Sequence, residues 1–241
     1  EYWRSYKFIT DAKCCDQVEK PEDFYESVLA FGNFQRLLAD YPADTLHETI
    51  RGFHDTHARL EVFRRAVEKD VCGRADSVQK EIEFVLARED VANVFGKLQE
   101  NGEVPLRVTH NDTKLNNIMI DKATGKGICV IDLDTVMPGL AMNDFGDSIR
   151  FGASTAAEDE QDLTKVSCSM DLFEIYVKGF LEGCGGSLTP REVELLPMGA
   201  KVMTYECGMR FLTDYLEGDH YFKIHREGHN LDRARTQFKL V

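Results

Sequence analysis

The middle of the chain changes from a helical pattern to a strand-like one and back, and this interruption restricts the fold more than any other feature. Two β-rich runs, residues 117–120 and 128–131, flank the turn-forming stretch 122–127. Turn chemistry between two short β-rich runs predicts a β-hairpin. A further strand-like run, residues 106–109, precedes the hairpin. Because the segments on both sides read as helices, we predict an α+β, mainly helical fold with one small embedded hairpin.

The flanking segments have the apolar spacing of helices that face a core. The predicted helices cover residues 21–38, most of 44–70, 76–98, a segment after 144, a segment around 173–181 and a last long segment from 190. Asp76 and Gln79 form a candidate capping pair for the helix over 76–98. Thr189, Pro190 and Glu192 take the N-cap, N1 and N3 positions of the last helix.

Composition removes several classes of protein. The 241 residues are 43% hydrophobic and carry a net charge of −13, which is typical of a globular domain and not of a disordered chain. No apolar run approaches the roughly 20 residues of a membrane span. The acidic balance argues against a nucleic-acid partner, which selects a basic surface. A phosphorylated ligand remains compatible, because a divalent cation can screen the carboxylates.

The cysteine pattern indicates a reducing compartment. The seven cysteines are an odd number and include no C-x-x-C pair, unlike a secreted disulfide framework. We therefore expect free thiols and a cytoplasmic location.

The loop before the hairpin and the turn after it carry the chemically informative residues. His110, Asp112 and Asn117 have the spacing H-x-D-x-x-x-x-N, and Asp132 follows the second strand. This is the arrangement of a kinase catalytic loop, in which the Asp accepts the proton of the attacking hydroxyl and the Asn and the later Asp hold the metal on the nucleotide phosphates. Lys114 stands where many kinases place a lysine that reaches the transferred phosphoryl group.

The hairpin is expected to bring these groups together. Its two outer ends meet, so Asp112, Asn117, Asp132 and Asp134 should converge. Such oxygen-rich groups favour Mg²⁺ or Mn²⁺ over zinc, and we predict ATP and Mg²⁺ as cofactors. Chance would produce an isolated motif of this length, and Asp112 alone would also suit an N-cap, but the joint match favours catalysis. His110 is interpreted as a structural support of the loop.

Longer stretches around these residues resemble one known superfamily. They are residues 110–117 (HNDTKLNN), 131–140 (IDLDTVMPGL), 143–150 (NDFGDSIR), 205–212 and 225–230. The sequence resembles the aminoglycoside phosphotransferase/choline kinase-like superfamily. Within this superfamily, the motif sequences are most similar to those of the N-acetylhexosamine 1-kinases. The resemblance implies an ATP- and Mg²⁺-dependent phosphorylation of the anomeric hydroxyl of an N-acetylhexosamine. It extends over most of the chain, from Trp3 onward.

The resemblance also implies a division of the chain. Kinases of this type have an N-terminal lobe with a phosphate-covering loop, and no Gly-rich strand-turn-strand precedes the first helix here. Residues 3–9 alternate large apolar and polar side chains and predict a strand, which the resemblance makes the inter-lobe hinge, with Tyr6 and Phe8 near the adenine. We expect residues 1–13 to be this hinge remnant and residues 14–241 to be the helical catalytic lobe. The 241-residue chain alone is then expected to be inactive and to associate with itself or with a partner lobe.

Several polar residues of the helical lobe are candidates for the acceptor site. They are His54, Asp55, Asp144, Asp147, Arg210 and Tyr205. For Asp144, helix capping or loop bracing is the stronger interpretation; Asp147 is open between capping and substrate contact, and Arg210 between an ion pair with Glu206 and a substrate contact. His54 and His57 have the spacing of a zinc pair but lack a third ligand.

Two alternatives to a sugar kinase stay open. The acceptor is another small alcohol of the choline, aminoglycoside or homoserine type, or the chain is a non-catalytic kinase-like binding module. The presence of Asp112, Asn117 and Asp132 speaks against the module. A sulfatase is excluded, because its Cys/Ser-x-Pro-x-Arg stretch does not occur in the sequence.

Overall fold

A computed structural model describes residue 3, residues 5–15, residue 18 and residues 20–241. The helices are α1 (Pro21–Leu37), α2 (Thr56–Lys69), α3 (Gln79–Leu86), α4 (Glu89–Ala92), α5 (Val94–Glu100), α6 (Ala141–Gly152), α7 (Met170–Cys184), α8 (Pro190–Glu217) and α9 (His229–Leu240). The strands are β1 (Ala12–Lys13), β2 (Arg107–Thr109), β3 (Ile118–Asp121), β4 (Gly127–Val130) and β5 (Met137–Gly139). The predicted mainly helical α+β fold is confirmed.

The predicted hairpin is present and belongs to a three-stranded antiparallel sheet of order β1-β3-β4. Ile118 pairs with Val130, so the last residue of β4 lies beside the first residue of β3. Ile118 and Ile120 point to one face and are fully buried against Phe31 of α1. A second antiparallel pair, β2-β5, places Thr109 beside Met137. Both sheets therefore bring the loop after β2 close to the turn after β4.

Helix α8 is the central element of the core and packs against α2, α6 and α9. Its N-terminus has the predicted capping box, in which the Thr189 hydroxyl accepts from the Glu192 amide and the Glu192 carboxylate accepts from the Thr189 amide. Helices α6 and α8 cross at Gly146 and Gly199 at very short range. A Cβ added to Gly146 would lie 2.2 Å from the carbonyl oxygen of Gly199, so this contact requires glycine.

Three sequence predictions about local structure are wrong. The described part of segment 3–9 has no regular secondary structure, and in the ladders of the described chain it has no partner strand. Trp3, Tyr6 and Phe8 are 88%, 71% and 84% exposed, so the alternating pattern has no sheet face on which to pack. The first ladder residue of this region is Ala12.

The single helix predicted over 76–98 is broken into a 3₁₀ turn and the helices α3, α4 and α5. Val85 and Val91 are both buried, and six residues of continuous helix would place them on different faces. The break between α3 and α4 lets the chain bury both. The predicted Asp76–Gln79 capping pair does not form, because the α3 N-terminus at Val78 has no side-chain cap. Along the described residues, no helix has the length and apolarity needed to cross a membrane.

Candidate active site

The loop between β2 and β3 contains the predicted catalytic motif, and Asp144 of α6 braces it from below. Asp144 is 1% exposed. Its carboxylate accepts hydrogen bonds from the backbone amides of His110 (2.9 Å) and Asn111 (2.7 Å) and from Nε2 of Gln35 (2.6 Å). Burial raises the pKa of Asp144 despite these donors, which act in the opposite direction. The contacts of Asp144 match the loop-bracing interpretation and occupy both of its oxygens.

Asn111 turns the loop in a left-handed conformation, with φ of 65°. Such a backbone is rare for residues other than glycine, and Asn tolerates it best. Its side chain holds the turn: Nδ2 donates to the carbonyl of Thr135 at 2.9 Å, and Oδ1 accepts from the Thr109 hydroxyl at 2.9 Å. The next residue, Asp112, is therefore presented by a rigid turn.

Asp112 is half-buried and lies between a cation and an amide. Nζ of Lys114 is 2.8 Å from Oδ1 of Asp112, and Nδ2 of Asn117 is 3.2 Å from Oδ2. Nδ2 of Asn117 also donates to the Asp112 carbonyl at 2.8 Å. Burial alone would lower the pKa of Lys114, but the charge of Asp112 outweighs it and raises the pKa. The structure thus brings together the predicted base, the predicted lysine and the predicted metal-binding amide.

The turn after β4 is tied to the same loop. The backbone amide of Ile131 donates to the carbonyl of Asn117 at 2.9 Å, so Asp132 follows directly beside the start of β3. Nε2 of His110 lies 2.9 Å from the carbonyl oxygen of Ile131, and the Thr135 hydroxyl donates to the His110 carbonyl at 2.7 Å. His110 is fully buried between Phe31 and Phe34. These contacts match the structural role predicted for His110.

The donor set beside this turn fits Mg²⁺. Asp132 has a left-handed backbone (φ 59°), and the exposed carboxylates of Asp132 and Asp134 follow the strand. Because Nδ2 of Asn117 faces Asp112, its amide oxygen faces the other way. Among the described residues, no group of three or more His, Cys, Asp or Glu side chains is placed to hold a metal. Two carboxylates and an amide are a typical protein share for Mg²⁺, whose remaining ligands are phosphates and water.

Asp147 lies one turn along α6 from Asp144 and also contacts the loop. One carboxylate oxygen accepts from the Thr113 amide at 2.9 Å, and the other is 3.0 Å from Nη2 of the buried Arg150. Burial would raise the pKa of Asp147, but the positive charges of Arg150, His54 and Lys114 lower it. Asp147 is therefore a buried anion at the edge of the Asp112–Lys114 pair.

The remaining predicted acceptor residues differ in their surroundings. Nδ1 of His54 lies 2.9 Å from Glu206, and its Nε2 lies 3.2 Å from the Asn111 carbonyl oxygen. The Asp55 carboxylate caps α2 by accepting from the Ala58 amide at 2.9 Å. Tyr205 is fully buried, and its hydroxyl donates to the carbonyl of Val85. Tyr205 is therefore a core residue, and the prediction that it lines the acceptor site is wrong.

Arg210 lies among aromatic rings. Its guanidinium carbon is 5.6 Å from the ring centre of Phe53, 5.7 Å from that of Tyr221 and 5.5 Å from that of Phe222. Nη2 also lies 3.4 Å from the Tyr221 hydroxyl. Positive charge within about 6 Å of a ring face is attracted by the ring quadrupole. These three aromatic rings therefore already surround the guanidinium of Arg210.

One sequence-family model covers the loop that contains Asp112, the hairpin and α6. The model of the phosphotransferase enzyme family (APH) matches residues 17–166, more than half of the chain. The chain belongs to this family. The predicted superfamily is therefore confirmed.

Solved structures agree with this membership at the level of the fold. An ethanolamine kinase from Plasmodium vivax is 16% identical, with a TM-score of 0.59 over 95% of this chain and 64% of that chain. A choline kinase from Cryptosporidium parvum is 14% identical, with a TM-score of 0.52 over 95% of this chain and 67% of that chain. The chain thus spans about two thirds of the length of these similar structures.

Sequence reasoning missed two groups that support the site, Gln35 and Arg150, and paired Glu206 with Arg210 instead of with His54. Gln35 had a detectable signal, because it lies four residues after Phe31 on the apolar face of α1, where a polar side chain must find a buried partner. Arg150 is buried on α6 and pairs with Asp147 and Glu158. No spacing in the sequence pairs Glu206 with His54, 152 residues away.

Proposed function

We propose that the protein is an ATP- and Mg²⁺-dependent small-molecule kinase that phosphorylates an alcohol, with the anomeric hydroxyl of an N-acetylhexosamine as the preferred acceptor. The observation that carries the proposal is the environment of Asp112. A half-buried carboxylate lies on a rigid turn, 2.8 Å from Lys114, beside Asn117 and next to the Asp132–Asp134 turn. Family membership supports phosphoryl transfer as the reaction class.

In this proposal the chain's own residues position and neutralise charge. Asp112 accepts the proton of the attacking hydroxyl, and Lys114 leaves its pair with Asp112 to contact the transferred phosphoryl group. Asn117, Asp132 and Asp134 hold Mg²⁺, which supplies charge neutralisation on the nucleotide phosphates when bound. The segment around Tyr6 and Phe8 is proposed to meet the adenine.

The acceptor side favours a neutral polyol over an ammonium alcohol. The similar structures are named as ethanolamine and choline kinases, and an ammonium group is typically bound by aromatic rings or dense acidic groups. Here Phe53, Tyr221 and Phe222 already surround Arg210. We propose that Arg210 donates to hydroxyl or amide oxygens of the acceptor and that Asp147 accepts from a hydroxyl of the acceptor.

The other predicted acceptor residues support the site indirectly in this proposal. Asp144 braces the catalytic loop and Asp55 caps α2. His54 lies between the loop and α8.

A competition assay on the full-length protein tests the proposal. Purified protein is incubated with Mg²⁺–ATP and equal concentrations of N-acetylglucosamine, N-acetylgalactosamine, galactose, choline, ethanolamine and kanamycin, and the products are separated by mass spectrometry. We expect phosphorylation of the N-acetylhexosamines. Phosphorylation of choline or ethanolamine alone would overturn the sugar assignment and keep the kinase.

The matched variant is Asp112→Asn, which keeps the shape of the side chain and removes the base. We expect kcat to fall by roughly 10²–10⁴, with an unchanged unfolding midpoint. A rate close to that of the unaltered protein would exclude Asp112 as the base.

A further inference from the structure

His54 is a nearly buried histidine with an acceptor opposite each ring nitrogen. Nδ1 lies 2.9 Å from Oε1 of Glu206, and Nε2 lies 3.2 Å from the backbone carbonyl oxygen of Asn111. Only 9% of the His54 side chain is exposed. A neutral imidazole carries a single N–H and can satisfy one acceptor, whereas the imidazolium carries two. The geometry therefore requires either a cationic His54 or a protonated Glu206.

The surroundings of Glu206 favour the ionised carboxylate. Its second oxygen, Oε2, accepts from the Thr56 hydroxyl at 2.6 Å. Burial would raise the pKa of Glu206, but the hydrogen bond and positive charge of His54, with the charge of Arg210, lower it. A carboxylate with a donor at each oxygen is the stable form, so the proton belongs to His54.

The charges that face His54 come from three elements. Glu206 lies on α8, and Asp147 lies on α6. Arg210 on α8 and Arg59 on α2 are the positive charges that interact with Glu206. Burial alone would lower the pKa of His54; Glu206, Asp147 and the Asn111 carbonyl outweigh it and raise the pKa above its ordinary value.

We propose that His54 is a positioning residue, held as an imidazolium that links the catalytic loop to α8 through the Asn111 carbonyl and Glu206. The role rests on the proposed function of Asp112, the next residue after Asn111. On the α6 side, the Asp144 carboxylate accepts from two backbone amides of the loop. On the α8 side, His54 donates to the backbone carbonyl of Asn111 in the same loop. Loss of the His54 proton removes one of the two hydrogen bonds that His54 donates, to Glu206 or to the Asn111 carbonyl.

The linkage has a defined sign. Because the pKa of His54 is raised above its ordinary value, the link is complete below the unfolded pKa of about 6.5 and is lost as the pH rises through the folded value. Turnover should therefore fall on the alkaline side of the pH profile. The acidic side of the profile is not expected to depend on His54.

The first experiment is independent of kinase activity. The side-chain ¹⁵N resonances of the histidines in the full-length protein are recorded between pH 6 and pH 10. At pH 7.5 we expect the two ring nitrogens of His54 to have similar ¹⁵N chemical shifts, as they do when both are protonated. An ordinary histidine with a pKa of about 6.5 is largely neutral at this pH. A neutral His54 at pH 7.5 overturns the proposal, whatever the substrate of the protein.

The second experiment uses variants with a matched control. The glutamine of His54→Gln can replace only part of the hydrogen bonding of His54 to Glu206 and the Asn111 carbonyl. The control, His57→Gln, changes an exposed histidine three residues later. We expect His54→Gln to lower kcat by about 10- to 100-fold, the effect of one or two charged hydrogen bonds, to leave both KM values within about 3-fold, and to remove the alkaline limb. His57→Gln should retain the unaltered profile.

Glu206→Gln provides the variant that separates positioning from folding. It keeps an oxygen acceptor but removes the charge, so the alkaline limb should move to lower pH by about one unit or more. Amide hydrogen exchange of residues 110–113 should also increase in His54→Gln and not in His57→Gln, which tests the link even if no acceptor is phosphorylated. Unchanged exchange of residues 110–113, or an alkaline limb that does not move in Glu206→Gln, overturns the positioning role.

Discussion

Nε2 of His110 lies 2.9 Å from the carbonyl oxygen of Ile131, which joins the loop that contains Asp112 to the turn that contains Asp132. The two segments contribute the proposed base and the proposed metal ligands. His110→Phe would keep an aromatic ring beside Phe31 and remove this bond. We expect kcat to fall by about 10-fold, the effect of roughly 1.4 kcal/mol, together with a higher Mg²⁺ requirement.

The control for this variant is Phe34→Leu, which alters the packing around His110 but keeps the bond to Ile131. It should lower the melting temperature with little change in kcat. A His110→Phe protein with unaltered kcat and unaltered Mg²⁺ dependence would show that the two segments do not need this link.

Asp132→Ala should affect the metal requirement of the reaction. Mg²⁺ selects hard oxygen ligands, and loss of one carboxylate removes one of few protein ligands. We expect the Mg²⁺ concentration for half-maximal rate to rise by about 10-fold or more, since second-shell changes alone typically cost 10- to 100-fold. Asp121→Asn, at the opposite end of the same hairpin, is the control. Equal Mg²⁺ titrations of the two variants would place the metal elsewhere.

Arg210→Lys should weaken binding of the acceptor and leave binding of ATP unchanged. The planar guanidinium lies among Phe53, Tyr221 and Phe222, and an ammonium does not reproduce its stacking or its paired donors. We expect the KM for the acceptor to rise by about 10-fold, with an unchanged KM for ATP. Arg191→Lys, near the exposed start of α8, should change neither constant. A rise in the KM for ATP alone would exclude an acceptor role for Arg210.

Gly146→Ala should destabilise the fold through the crossing of α6 and α8. Its Cβ would lie 2.2 Å from the Gly199 carbonyl oxygen, and a backbone atom cannot rotate away. We expect a loss of about 2–4 kcal/mol in the free energy of unfolding, somewhat above the usual range for overpacking. Gly96→Ala in α5 meets nothing within 4 Å and should stabilise by about 0.4–1 kcal/mol. Denaturant unfolding of both variants measures the difference, and equal midpoints would contradict the close helix contact.

Glu192 should contribute stability that depends on pH. It is fully buried, with Oε1 2.6 Å from Nε of Arg107. Burial would raise the pKa of Glu192, but the hydrogen bonds from Arg107 and the Thr189 amide lower it. A lowered pKa means that the stabilisation is complete above the unfolded pKa of about 4.3 and is lost as the pH falls through the folded value.

The test compares Glu192→Gln with Glu194→Gln, an exposed neighbour on α8. At pH 7, Glu192→Gln should lower the free energy of unfolding by about 1.5–3 kcal/mol, and this difference should shrink as the pH falls below 4. Glu194→Gln should change it by less than about 0.5 kcal/mol. A constant Glu192→Gln effect from pH 7 to pH 3 would show that Glu192 titrates normally.

Elements specified by local chemistry could be predicted from the sequence. The hairpin follows from a turn-forming stretch between two short β-rich runs, and the start of α8 follows from Thr189 and Glu192 in a capping box. The spacing of His110, Asp112 and Asn117 likewise places a recognisable loop directly before a strand. In each case the interacting groups lie a few residues apart, so residue order alone defines their partners.

Only the tertiary structure decided what depends on contacts between distant segments. The helix predicted over 76–98 is broken because Val85 and Val91 must both reach the core, and burial outweighs the local preference for a continuous helix. Tyr205 is in the core, Gln35 donates to Asp144, and Glu206 reaches His54 across 152 residues. Such pairs have no fixed spacing, because the packing of α1, α2, α6 and α8 around the loop selects them. The sequence by itself therefore determined the candidate groups for the proposed chemistry, and the helix packing decided which other groups hold them in place.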